Sequence, residues 1–168
     1  MYRIWFCIGL FLAAAVFAEE SEFPQLTLYG ENGETDTFPQ NKKLLVFLGF
    51  QRKAKAELLQ WQKALPQNKI SVVVIGVLPS YLSWRMTREP LMALCRKAVP
   101  KEDLPYFRMA FFDKEKLIAD LGLPQGKETL EHIHLFYVDG GKIRWKASCT
   151  PTSELLAQLR KVIDGQED

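Results

Sequence analysis

The sequence predicts an α/β domain: a central mixed sheet flanked by helices, finished by a C-terminal β-hairpin and helix. Three observations carry that expectation. Leu44–Phe50 (LLVFLGF) and Ile70–Leu78 (ISVVVIGVL) are near-continuous apolar runs, the pattern of strands buried on both faces. Between and after them, apolar residues switch to helical spacing. Near the end, Asp139-Gly140-Gly141 separates two short strand-like runs, the mark of a hairpin, and a helix start follows.

Each element has its own signal. Leu26–Tyr29 (LTLY) alternates and runs into Gly30, Asn32 and Gly33, so it reads as an edge strand and turn. After the first apolar run, Ala54, Leu58, Trp61 and Leu65 share one face of a helix over 53–65, which Pro66 ends. The second apolar run is rich in β-branched residues and closes at Pro79. A helix over 87–98 follows, with Leu91, Leu94, Cys95 and Ala98 on one face, and Pro100 and Pro105 break the chain beyond it. Phe107–Phe112 (FRMAFF) reads as a strand and 114–121 as a short helix closed by Gly122. Ile133–Val138 and Lys142–Lys146 form the hairpin. Thr150-Pro151-Thr152 with Glu154 opens a last helix to about Ile163, with Leu155, Leu159 and Val162 or Ile163 inward. The order β, β-α-β, α, β-α, β-β-α resembles the thioredoxin-like arrangement.

Composition narrows the function. The chain has 168 residues, 48% hydrophobic and 25% charged, with 22 Lys+Arg against 20 Asp+Glu and a net charge of +2. That describes one ordinary globular domain, without the basic stripe a nucleic-acid binder needs to displace counterions. No Gly-rich phosphate loop follows any predicted strand, so no nucleotide cofactor is expected, and no other cofactor has a signal.

The first eighteen residues read as an address. Arg3 precedes an apolar run from Ile4 to Phe17, Ala18 supplies a small residue at the cleavage position, and Glu19-Glu20 follow. As a helix the run spans about 21 Å, short of a hydrocarbon core of about 30 Å. We therefore expect residues 1–18 to be a signal peptide and 19–168 the exported domain. The alternative is an uncleaved anchor that tilting or local thinning accommodates. The expected location is periplasmic, or anchored to the outer face of the inner membrane. Cys95 and Cys149 remain in the exported part. They could pair as a disulfide, a loop worth about 4 kcal/mol in the chain-entropy model, or stay separate thiols.

Thioredoxin-like enzymes carry a Cys in the turn after the first central strand, where the helix dipole lowers its pKa. Here that turn reads Phe50, Gln51, Arg52, Lys53, Ala54, and no Cys lies between Cys7 and Cys95. The cis-proline facing that Cys is also missing; His132 stands about there. We expect no catalytic residue of the usual kind.

Three stretches carry a more particular resemblance: GFQRKAKAELLQWQKAL (49–65), MTREPLMALCRKAVPKEDL (86–104) and HLFYVDGGKIRWKASCTPTSELLAQL (134–159). In the last, the hairpin with Arg144-Trp145 is followed by a small residue, a Thr and an acidic helix start. The chain resembles, in these stretches, the mitochondrial F-type ATP synthase assembly factors, which are thioredoxin-like and lack the redox Cys pair. The resemblance implies a chaperone for a membrane subunit, working at the inner membrane. The chain departs from that setting by its export signal, which leaves the client open.

The candidate binding residues fall in three groups. Gln51, Arg52 and Lys53, with Lys55, open the first helix. Cations there oppose the helix dipole by about 0.3–1 kcal/mol each, so they read as contacts for an acidic partner or phosphate, or as a solvated turn. Trp84, Arg85 and Arg88, with Met86, Leu91 and Met92, read as an amphipathic surface for a membrane or apolar client, or as core and rim of one helix. His132 and His134 alternate onto one strand face and read as a rim pair; no third ligand makes them a metal site. Trp145 is expected to pack on the last helix. All three groups are expected at one end of the sheet, outside the carboxyl ends of the parallel strands. The expectation is an exported, non-redox, protein-binding domain with a protein client, such as a membrane subunit, and membrane-surface contact. The alternative is a divergent thiol–disulfide oxidoreductase using Cys95 or Cys149.

Overall fold

The computed structural model describes residues 21–65, 71–98 and 106–165, without the side chains of residues 52 and 94–98. The predicted signal peptide and the breaks at Pro66, Pro100 and Pro105 lie outside the described residues.

Among the described residues, eight strands form one mixed sheet. They are β1 (Ser21–Glu22), β2 (Leu26–Tyr29), β3 (Thr35–Phe38), β4 (Lys43–Gly49), β5 (Ser71–Pro79), β6 (Phe107–Phe112), β7 (Ile133–Asp139) and β8 (Lys142–Ala147). Their spatial order is β1-β8-β7-β4-β5-β6-β2-β3. β4, β5 and β6 are parallel, while β7 pairs antiparallel with β4 and β8 with β7. The helices are α1 (Lys55–Ala64), α2 (Trp84–Ala98), α3 (Lys114–Asp120), α4 (Lys127–Glu131) and α5 (Ser153–Ile163).

The apolar runs have the predicted cause. Val46 and Leu48 of β4 pack in one buried cluster with Ile75, Val77, Leu117 and Ile118. Leu45 and Phe47, which alternate with them, pack in a second cluster with Trp61, Trp145, Leu155 and Leu159. With apolar layers on both faces, every residue of the strand centre is apolar. Trp145 does meet α5, and its ring also stands edge-on to Trp61 of α1 at 6.4 Å. The β7–β8 turn needs Gly140 and Gly141 because both backbones take positive φ, 58° and 85°.

Five elements differ from expectation. β2 is not an edge strand: it lies between β6 and β3, and β3 forms the edge. β3 (TDTF) buries only Phe38, so its sequence carries no apolar alternation to betray it. The stretch before α1 begins as a 3-10 turn over Arg52–Ala54. α2 starts at Trp84, ahead of the predicted position 87, and runs through Pro90, which lies on its exposed side. Its first turn shows no apolar period because Arg85 and Met86 face solvent. α4 is only five residues long, too short for periodicity to reveal.

Candidate functional site

The register of β4 and β7 builds one corner of the molecule. Gly49 pairs with Ile133, so the chain leaving β4 through Phe50 and Gln51 meets the chain entering β7 through His132. The end of β8 arrives beside them, because Ala147 pairs with Leu135. The corner therefore gathers Gln51, Lys53, Glu57, Glu131, His132, His134, Ser148 and Cys149.

Glu57 is its centre. It stands in the first turn of α1, where the dipole favours an anion. Its Oε1 accepts from His132 Nδ1 at 2.6 Å, and its Oε2 accepts from the Ile133 backbone N–H at 3.0 Å. Both carboxylate oxygens are thus used inside the protein. Lys53 donates to Glu131 Oε1 at 2.9 Å, and Lys127 approaches the same oxygen at 3.8 Å. The Lys53 hydrogen bond holds the Glu131 carboxyl below the ordinary carboxylate range. Lys53, read as a cation awaiting an acidic partner, already has one on α4. Gln51 is exposed, and the Arg52 side chain lies outside the described residues.

The two histidines do different work. His132 leaves nearly half its side chain exposed (45%). His134 is 1% exposed and does not line the rim. Its Nε2 lies 2.7 Å from the Thr129 carbonyl, which can only accept, so Nε2 carries the proton. In the neutral ring Nδ1 then accepts from the Ser148 hydroxyl at 2.6 Å. Burial pulls the His134 pKa below the ordinary 6.5; His132 adds to that, while the Thr129 carbonyl and Glu57 oppose it. With both ring nitrogens engaged, His134 acts as a tie between the α4 segment and the end of β8.

Cys149 is a half-buried free thiol at the same corner. Its carbonyl accepts from Trp61 Nε1 at 2.7 Å, fixing the chain there. Burial, and then the Glu57 charge, push the thiol pKa above the ordinary 9.0, against a smaller backbone hydrogen bond from Ser148. A nucleophilic thiol needs the opposite environment. Cys95 lies in α2, and its side chain is outside the described residues.

The third predicted group does not join this corner. Trp84 stacks on Tyr29 of β2, with ring centroids 5.7 Å apart and planes 27° apart. The Arg88 guanidinium sits 5.8 Å over the Trp84 ring. Arg85 is exposed beside them. Between β4 and β2 stand β5 and β6, so these residues form a second surface, separated from the corner across the width of the sheet.

The sequence reading missed Glu57, Thr129, Glu131 and Ser148. Glu57 had one visible signal: it is the single acid in a helix opening otherwise filled by Arg52, Lys53 and Lys55. The others acquire meaning only from distant partners.

No family model matches the chain. No curated protein matches it in sequence. Solved structures do. The chain is similar to a member of the Sco family of cytochrome c oxidase assembly proteins, at 13% identity and TM-score 0.58, over 89% of this chain and 97% of that one. It is similar to a thiol peroxidase from Chromobacterium violaceum, at 9% identity and TM-score 0.56, over 92% of each chain. An exposed lipoprotein thioredoxin from Streptococcus pneumoniae matches at 13% identity and TM-score 0.53, over 82% of this chain and 98% of that one. At such identities the likeness defines the fold, and the fold is thioredoxin-like. Among the described residues, no helix is long and apolar enough to cross a membrane.

Proposed function

We propose that this chain is an exported thioredoxin-like domain that binds a protein client without thiol chemistry, as an assembly factor or chaperone for a membrane complex. One observation supports this reading above the others. At the corner where enzymes of this fold hold a reactive Cys, this chain has Glu57 bound to His132 and Lys53 bound to Glu131. Those contacts make a rigid polar rim, with Gln51 and His132 partly open to solvent, suited to recognition rather than electron transfer. The resemblance of 49–65, 86–104 and 134–159 to F-type ATP synthase assembly factors favours a subunit of that enzyme as client. A neighbour in fold that belongs to a cytochrome c oxidase assembly family is in keeping with an assembly role.

The test is a photo-cross-linking residue at Gln51, used in native membranes, with identification of the captured partner. A subunit of a membrane complex is the expected product. Capture of no specific partner at good yield would sink the chaperone reading.

The competing reading, a thiol–disulfide oxidoreductase using Cys95 or Cys149, has in its favour only that Cys149 sits at this corner. Its raised pKa argues the other way. Alkylation of Cys149 is expected to be slow near pH 7 and to quicken only above about pH 9. Fast alkylation near neutrality would revive the enzyme.

A further inference from the structure

Single exposed large apolar side chains are ordinary, but several gathered at one place on the surface mark a contact. Among the described residues, three are exposed: Tyr81 at 81%, Met86 at 68%, and Tyr106. The first two lie within six residues of each other, at the turn into α2. Between them stand Trp84, half-buried, and Arg85, exposed.

This patch is held in place. Tyr29 supports Trp84 from one side by stacking and is itself met edge-on by Phe111 of β6 at 5.5 Å. The Ser83 carbonyl accepts from the Met86 and Thr87 backbone N–H groups and from the Thr87 hydroxyl, which ties down the first turn of α2. The side chains therefore project from a fixed base. Arg85 and Arg88 flank the apolar residues, and the first turn of α2 holds no acid; the exposed Glu89 follows one turn after Arg85.

We infer that residues 81–88 dock the protein on an anionic bilayer surface. The chemistry matches the headgroup layer. Tyr and Trp favour that depth, where a ring can be apolar at one end and wet at the other. Met86 reaches the acyl boundary, and Arg85 takes lipid phosphate, a contact worth about fivefold in binding for each basic residue near such a surface. This surface is separate from the client-binding rim at Glu57 and His132. Vesicle binding tests it and cross-linking tests the rim, so either can fail alone.

The experiment measures partition of the full chain onto phosphatidylcholine vesicles, with and without a third of phosphatidylglycerol, at low and high salt. The readout is the ratio of the two partition coefficients, which cancels any apolar contribution of residues 4–17. We expect a ratio of at least about ten at low salt, falling toward one at half-molar salt. The Y81S/R85E/M86S variant, shown by thermal melting to remain folded, is expected to give a ratio near one throughout. A wild-type ratio near one overturns the inference and leaves the patch to a protein partner. A variant that keeps the wild-type ratio overturns it equally, by placing the anionic contact elsewhere on the chain.

Discussion

The corner at Glu57 and the patch at Trp84 are opposite solutions to placing polar and apolar groups at a surface. At the corner, polar groups satisfy one another: Glu57 with His132 and Ile133, Lys53 with Glu131, His134 with Ser148 and Thr129. At the patch, Tyr81 and Met86 stand in solvent on a base fixed by Tyr29 and Trp84. The contrast teaches that residue types do not by themselves announce a site. His134 and Lys53 have their partners inside the protein, whereas Tyr81, Arg85 and Met86 stand open to solvent.

The sharpest way to break the comparison is to remove the support of the corner. Trp61 is fully buried, and its ring N–H holds the Cys149 carbonyl. Trp61→Ala should cost about 3–5 kcal/mol in urea unfolding, from lost burial plus the cavity left behind. That is a large share of a typical domain's stability of about 5–15 kcal/mol. A loss under about 1 kcal/mol would mean the two-tryptophan layer does not anchor the corner.

Next in size is the carboxylate. Glu57→Ala strips the Ile133 N–H and the His132 ring of their acceptor, and should cost about 1–3 kcal/mol. The cost should be similar at low and high salt if the backbone bond dominates. A strongly salt-dependent loss would point to Coulombic pairing instead.

His134 gives the comparison a pH axis. Its folded pKa lies below the unfolded value of 6.5, so below about pH 6.5 the unfolded chain takes up the proton first. Its contribution is fully present above that pH and is lost as the pH falls toward the folded pKa. Unfolding midpoints measured from pH 7.5 downward should therefore fall, and His134→Gln should flatten that slope. An unchanged slope in the variant would remove His134 as its cause.

The smallest effect belongs to the patch. Tyr81→Ser and Met86→Ser should each change stability by no more than about 0.5 kcal/mol, because neither side chain is packed. A larger loss would show that the patch is structural after all. Lys53→Ala, at an exposed ion pair, should likewise leave the melting temperature nearly unchanged.

Much of the architecture was readable in the chain. Leu44–Phe50 announced a strand covered on both faces, Asp139-Gly140-Gly141 a tight hairpin, and Thr152 the start of α5, where its side chain accepts from the Leu155 N–H. β3 was not readable, since an edge strand with one buried residue has no period. The candidate site was less legible than the fold. His132 and Lys53, named as candidate binding residues, both stand at the corner, but their partners were not legible, and His134, expected at the rim, is buried.

The division has a physical reason. Strand and helix periods are local consequences of backbone geometry, so the sequence alone determined the kinds of the longer elements, the hairpin, and the lack of a Cys in the turn 50–54. Partnership depends on which strands lie side by side. Glu57 meets His132 across 75 residues and Trp61 meets Cys149 across 88, because β7 chose β4 and β8 chose β7. The tertiary structure alone decided that His134 is buried, that β2 is interior, and that Trp84 stands apart from the corner. Sheet order sets those distances, and no local pattern of side chains records it.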